Sequence, residues 1–170
     1  IDGQAFDDAV STLDPETTLV VVASKTFTTA ETMANMNAAL DWLREGGVED
    51  PYGHVIAVTA KPDAAVDAGI DETQILLFSE GVGGRYSLWS SVGLSAALGL
   101  GWSAFEELLE GAAEMDRHFR YTEPARNLPL LAAFADRLYV RKFGCQTRGV
   151  FAYDERLRLL PFYLQQLEME

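Results

Sequence analysis

Cysteine is nearly missing from this 170-residue chain, which carries only Cys145. A single thiol excludes an internal disulfide and gives no support for a zinc cage. The reducing cytoplasm is therefore the expected compartment. Cations are scarce as well: 13 Lys and Arg stand against 26 Asp and Glu, a formal charge of −13 at pH 7. Nucleic-acid backbones and anionic bilayers both attract clustered Lys and Arg, so neither partner is expected. No apolar run reaches the roughly 18 residues of a membrane-spanning helix. The first residues lack the pattern of a secretory leader. The two histidines, His54 and His118, have no companion at ligand spacing and read as structural. No repeat, low-complexity tract or linker divides the chain. An initiator Met is absent before Ile1-Asp2-Gly3, and no polar tail follows Glu168-Met169-Glu170. The expectation is an internal segment of a longer protein.

What is present fits a soluble globular domain: 48 % apolar and 23 % charged residues. Residues 18–24 form a β-branched apolar run without alternation, as in a strand buried on both faces of a parallel sheet. Met33, Met36, Leu40 and Leu43 then recur at helical spacing until Gly46-Gly47 stops the pattern. Residues 54–59 predict a second strand, 61–68 a short helix ended by Gly69, and 74–78 a third strand. This order implies right-handed crossovers and a layered sheet. Past Gly81 the chain reads as mostly helical. Residues 88–98 are small and apolar, as in a helix buried all round. Ser103 is a candidate cap for a helix bearing Phe105, Leu108, Leu109 and Ala112, and residues 127–142 repeat that spacing. Residues 147–153 suggest a last strand, and Asp154 opens a helical pattern that Pro161 must kink or restart.

Charge is uneven. Residues 1–60 hold ten acids and two bases, whereas residues 126–158 hold seven bases and three acids. The basic stretch reads as a solvated face or as a positive field for an anionic ligand or a subunit. Cys145 reads as a small core residue. Trp42, Trp89 and Trp102 read as core or interface anchors.

Three segments can carry chemistry. Ser24-Lys25-Thr26-Phe27-Thr28-Thr29 lies between a strand and a helix, where α/β sheets bind ligands. Helix N–H groups and the positive dipole end favour an anion there, the hydroxyls offer further donors, and Lys25 adds charge. Capping alone would also place Ser and Thr here, and no P-loop pattern is present. Gly81-Val82-Gly83-Gly84-Arg85-Tyr86-Ser87 offers glycines that permit positive φ and close approach, and a guanidinium that can neutralise developing charge. A tight turn with a surface Arg is the alternative. In Gln165-Gln166-Leu167-Glu168-Met169-Glu170, a carboxylate at a helix end can act as a general base if it is partly desolvated.

Taken in order, these segments resemble the glucose-6-phosphate isomerase (phosphoglucose isomerase) family. Residues 24–32 look like its sugar-phosphate loop, 83–90 its first signature, and 165–170 the start of its second, which normally continues Ser-Asn-Gly-Lys. Met115-Asp116, His118-Phe119 and Phe143-Gly144-Cys145 are similar to the family as well. The resemblance implies an α/β fold of the three-layer SIS (sugar isomerase) type, a parallel sheet flanked by helices. Residues 1–142 would form most of the first SIS domain with its trailing helices, and 143–170 the connection into the second. It implies reversible aldose–ketose isomerisation of glucose 6-phosphate and fructose 6-phosphate through an enediolate, with no cofactor and no metal. Ser24, Lys25, Thr26 and Thr29 would surround the phosphate, partly through backbone N–H groups. Gly83 and Arg85 would face the reacting end, Gln166 would contact substrate, and Glu170 would move the proton. The family's ring-opening His comes from a neighbouring subunit, so a homodimer is implied. The family's preceding Gly-rich loop and its downstream His and Lys lie outside this sequence, and Pro161 stands where some relatives carry Ala. A non-catalytic SIS module that senses sugar phosphates would keep the hydroxyl loop but need neither Arg85 nor Glu170.

Overall fold

Three β-branched segments become three parallel strands: β1 (Val20–Ala23), β2 (Val55–Thr59) and β3 (Ile75–Leu77). The computed structural model describes residues 2–169. Their sheet order, β1-β2-β3, follows the chain. Val20 pairs with Val55 and Val22 with Ala57, which in turn pairs with Ile75. Those five side chains therefore share one face, and all five belong to one apolar cluster.

Two helices cover that face. The first crossover carries α2 (Ala30–Glu45) and the second carries α3 (Pro62–Asp67). Met33, Met36 and Leu40 of α2 and Ala64 and Ala65 of α3 join the same cluster. Both crossovers advance the same way across the sheet, so right-handed connections put both helices on one side. The parallel α/β architecture expected from the sequence is thus present. Gly46 ends α2, and Gly47 follows at φ 90°. Gly69, at φ 96°, ends the turn after α3, with Tyr52 close against it. A further helix, α1 (Gly3–Val10), precedes the sheet and is capped by Asp2.

The described residues divide between Ser95 and Ala96 into two compact units. The junction lies within α4 (Leu94–Leu100). The second unit carries α5 (Trp102–Tyr121), α6 (Leu128–Phe143) and α7 (Leu160–Glu168). Asn127 caps α6: its Oδ1 accepts from Leu130 N at 3.2 Å while its Nδ2 donates to Phe119 O at 2.8 Å. His118 completes that corner, since its Nε2 accepts from Leu128 N at 3.0 Å. His54 is structural too, with Nδ1 2.9 Å from Thr18 O. Pro161 sits in the first turn of α7 and restarts a helix rather than kinking one.

Four expectations are corrected. Residues 88–98 are not buried all round. They begin as 3-10 turns, only Gly93 among them is buried, and Leu98 is left 59 % exposed. Helix α5 starts one residue before Ser103, after Gly101 at φ 84°, which supplies the sharp turn a side-chain cap would otherwise mark. Residues 147–153 form no strand among the described residues and remain irregular. Cys145 is exposed, just past Gly144, whose φ of 68° ends α6. In the basic stretch, Arg148, Arg156 and Arg158 form exposed ion pairs with Asp136, Asp154 and Glu155, in keeping with a solvated face.

Candidate functional site

All three strands end on one rim, and the loops that leave it are bonded to one another. The knot is Thr59, the fully buried last residue of β2. Its hydroxyl donates to Lys25 O at 3.2 Å and accepts from Lys61 N at 3.1 Å. Its carbonyl accepts from Phe78 N at 3.2 Å, and Ala60 N donates to Lys25 O at 3.1 Å. A polar residue closing an apolar run was the signal in the sequence that could have revealed this role.

The loop after β1 is built around Ser24 and Phe27. Ser24 is buried, and its Oγ accepts from Phe27 N at 3.1 Å and lies 3.4 Å from Thr29 Oγ1. Phe27 sits at φ 53°, a left-handed conformation that a bulky residue rarely adopts. That conformation costs about 1–2 kcal/mol. Complete burial of the ring among Val22, Met36 and Leu40 contributes about 1.5–3 kcal/mol and outweighs it. The turn delivers the chain to α2 at Thr29, whose side chain makes no capping bond to the helix. The first N–H groups of α2 are left for an acceptor other than Thr29, and the exposed hydroxyls of Thr26 and Thr28, 2.9 Å apart, flank them. Phosphate chemistry suits such a helix start.

The loop after β3 reaches the same place. Lys25 Nζ donates to Val82 O at 3.0 Å, across 57 residues of sequence. Lys61 is ion-paired with Glu80. The Lys61 hydrogen bond and charge hold the Glu80 carboxyl below its usual range, and the Lys25 charge adds a smaller push the same way. Gly83 precedes a 3-10 turn, Gly84–Trp89, that carries Arg85 at its start. Buried Ser87 closes this turn by donating to Gly84 O at 2.5 Å. None of Gly81, Gly83 and Gly84 has positive φ, so the left-handed freedom expected of them is not used.

Ser24, Lys25, Thr26, Thr29, Gly83 and Arg85 thus belong to one unit, with Lys25 bonded to the loop that carries Gly83 and Arg85. Gln166 is exposed on α7 in the second unit, and Glu170 lies outside the described residues. Phe27, Thr59, Lys61 and Glu80 were not singled out by sequence reasoning. A cavity of about 670 Å³ in the second unit, lined by Asp136, Cys145, Arg148 and Glu168 among others, shares no residue with this rim. Among the described residues, no three His, Cys, Asp or Glu side chains cluster as a metal site requires.

The family model described as phosphoglucose isomerase matches residues 1–170. The chain is 68 % identical over its whole length to the glucose-6-phosphate isomerase of Sphingopyxis alaskensis and 60 % identical to that of Zymomonas mobilis, covering 34 % of each. It therefore spans about a third of the length of these curated relatives. Among solved structures, a glucose-6-phosphate isomerase from Chlamydia trachomatis superposes with a TM-score of 0.86 at 32 % identity, over 99 % of this chain and 32 % of that one. A hypothetical protein from Thermus thermophilus gives 0.81 at 30 % identity, over 98 % of this chain and 40 % of that one. The chain belongs to the phosphoglucose isomerase family.

Proposed function

We propose that this chain is the part of a glucose-6-phosphate isomerase that grips the substrate's phosphate and stabilises charge at its reacting carbons. The reaction is the reversible conversion of glucose 6-phosphate and fructose 6-phosphate. The observation that carries this reading is the Lys25–Val82 hydrogen bond, which joins the helix start without a Thr29 cap to the loop bearing Arg85. The family relationship supplies the substrate.

The chemistry follows from the groups present. Ser24, Thr26 and Thr29 hydroxyls, with the first backbone N–H groups of α2, receive the phosphate. That grip, remote from the reacting carbons, orients the sugar. Interconverting aldose and ketose removes a proton from the carbon beside a carbonyl and leaves an enediolate. Arg85 stays protonated at every relevant pH and offsets the negative charge as it develops. Gly83 leaves room beside it for the substrate. Gln166 holds the sugar, and Glu170 takes the proton from one carbon and returns it to the next. No cofactor is needed, since the electrons never leave the sugar. Residues 1–142 belong to the first SIS domain and 143–170 lead into the second. The assembled enzyme is a cytoplasmic homodimer.

The test is Arg85→Ala in the full-length protein that carries this chain. Loss of one preorganised charge-stabilising donor lowers kcat about 100-fold or more. Inhibition by inorganic phosphate should change little, because the phosphate loop is untouched. An unchanged kcat would overturn the assignment.

A further inference from the structure

The loop after β3 has its own internal turn, in which Gly81 N donates to Ser79 Oγ at 3.2 Å and Val82 N to Ser79 O at 3.0 Å. Such a self-contained turn does not by itself dictate where the following residues lie. Two lysines reach it from the neighbouring strand ends, one residue past Ser24 and one past Ala60. We infer that Lys25 and Lys61 are positioning residues: their ammonium groups hold this loop by the Val82 carbonyl and the Glu80 carboxylate, and so fix where Gly83 and Arg85 meet the substrate. This rests on the isomerase reading above and goes beyond it, because it gives the Lys25 side chain a partner in the protein and adds Lys61 and Glu80 to the machinery.

Three observations support it. Lys25 is anchored at its backbone, where its carbonyl accepts from both Ala60 N and Thr59 Oγ1, so the side chain starts from a fixed point. Its Nζ is committed to Val82 O at 3.0 Å, a charge-assisted bond. Glu80 feels both ammonium groups, Lys61 strongly and Lys25 less so. An exposed ion pair such as Lys61–Glu80 contributes little to stability. Its effect is expected instead in the placement of a loop that carries a reacting group, where an error of about 1 Å costs about 100-fold in rate.

The experiment uses the full-length enzyme and reads kcat, KM and the inhibition constant of inorganic phosphate. Lys25→Met should lower kcat about ten- to a hundredfold while the phosphate constant stays within about twofold. Lys25→Arg keeps a donor for the Val82 carbonyl and should recover most of the rate. Glu80→Gln should lower kcat in the same sense. The exchanged pair Lys61→Glu with Glu80→Lys should exceed Lys61→Glu alone. A Lys25→Met variant whose phosphate constant rises at least as much as its kcat falls would make Lys25 a phosphate ligand and overturn the inference. So would unchanged kcat in both Lys25→Met and Glu80→Gln. Wild-type enzyme without isomerase turnover would sink the functional reading itself, whereas active wild type with insensitive variants sinks only the tie.

Discussion

At the scale of single residues, Phe27 holds the loop after β1 by opposing strain with burial. Phe27→Ala keeps a Cβ in the left-handed region and empties the ring's place in the core, so it should destabilise the protein by about 3–5 kcal/mol. Phe27→Gly loses the same ring but relieves the backbone. It should therefore be less harmful than Phe27→Ala by about 1 kcal/mol, which paired thermal melts can read. The reverse ranking would mean the φ value carries no strain. Glu80 makes a prediction in pH. Its carboxyl is held below the usual range, so its contribution to stability is full above the ordinary carboxylate range and is lost as pH falls through the depressed value. Wild type should melt only slightly higher than Glu80→Gln near neutrality, since the pair is exposed, and the two curves should converge in acid. The hydroxyls at 24–29 were legible because Ser and Thr at a strand-to-helix turn are meaningful in one dimension. The work of Phe27 was hidden, since a bulky residue at positive φ leaves no mark in the spacing. Lys25's bond to Val82 was equally hidden, because its ends lie 57 residues apart.

At the scale of elements, strands and helices were readable wherever burial imposed a period. The central strand β2, buried almost throughout, shows as an uninterrupted apolar run. The helix α6 was legible from its spacing over residues 127–142, close to its bounds Leu128–Phe143, whereas the Asn127 cap and the Gly144 stop were not read. Replacing Asn127 with Ala removes the cap and strands Phe119 O in a corner where Asn127 is only 3 % exposed. A loss of about 1–2 kcal/mol is expected, read as a lower melting temperature with a nearly normal phosphate constant. The misread segments share a physical cause. Residues 147–153 have the composition of a strand, but a strand also needs a partner's hydrogen bonds, and none is offered among the described residues. The apolar stretch at 88–98 shows the same limit, because hydrophobicity states what a residue would bury but not what covers it. Leu98 and Trp89 remain exposed despite their sequence.

At the scale of the whole molecule, the site depends on all three strand ends sharing a rim, and a ligand that binds there should stabilise the fold. In the full-length protein, the enediolate mimic 5-phosphoarabinonate should raise the melting temperature. At 100 times its dissociation constant the gain is about 2.7 kcal/mol. The Arg85→Ala variant should show a smaller shift. An equal shift in both proteins would separate phosphate grip from charge stabilisation and assign the mimic's affinity to the former alone.

Because the strands lie side by side in chain order, each new one joins a single growing edge. Partners across the sheet are 35 residues apart for Val20 and Val55 and 18 apart for Ala57 and Ile75. Such closures are short for parallel pairing, which is otherwise slow to form. They also let the sheet form on the ribosome, since nothing after Leu77 is needed to pair its strands. The rim would then be laid out while the remainder of the polypeptide is still being translated. Stalled nascent chains should gain protease resistance in the first unit soon after β3 leaves the exit tunnel.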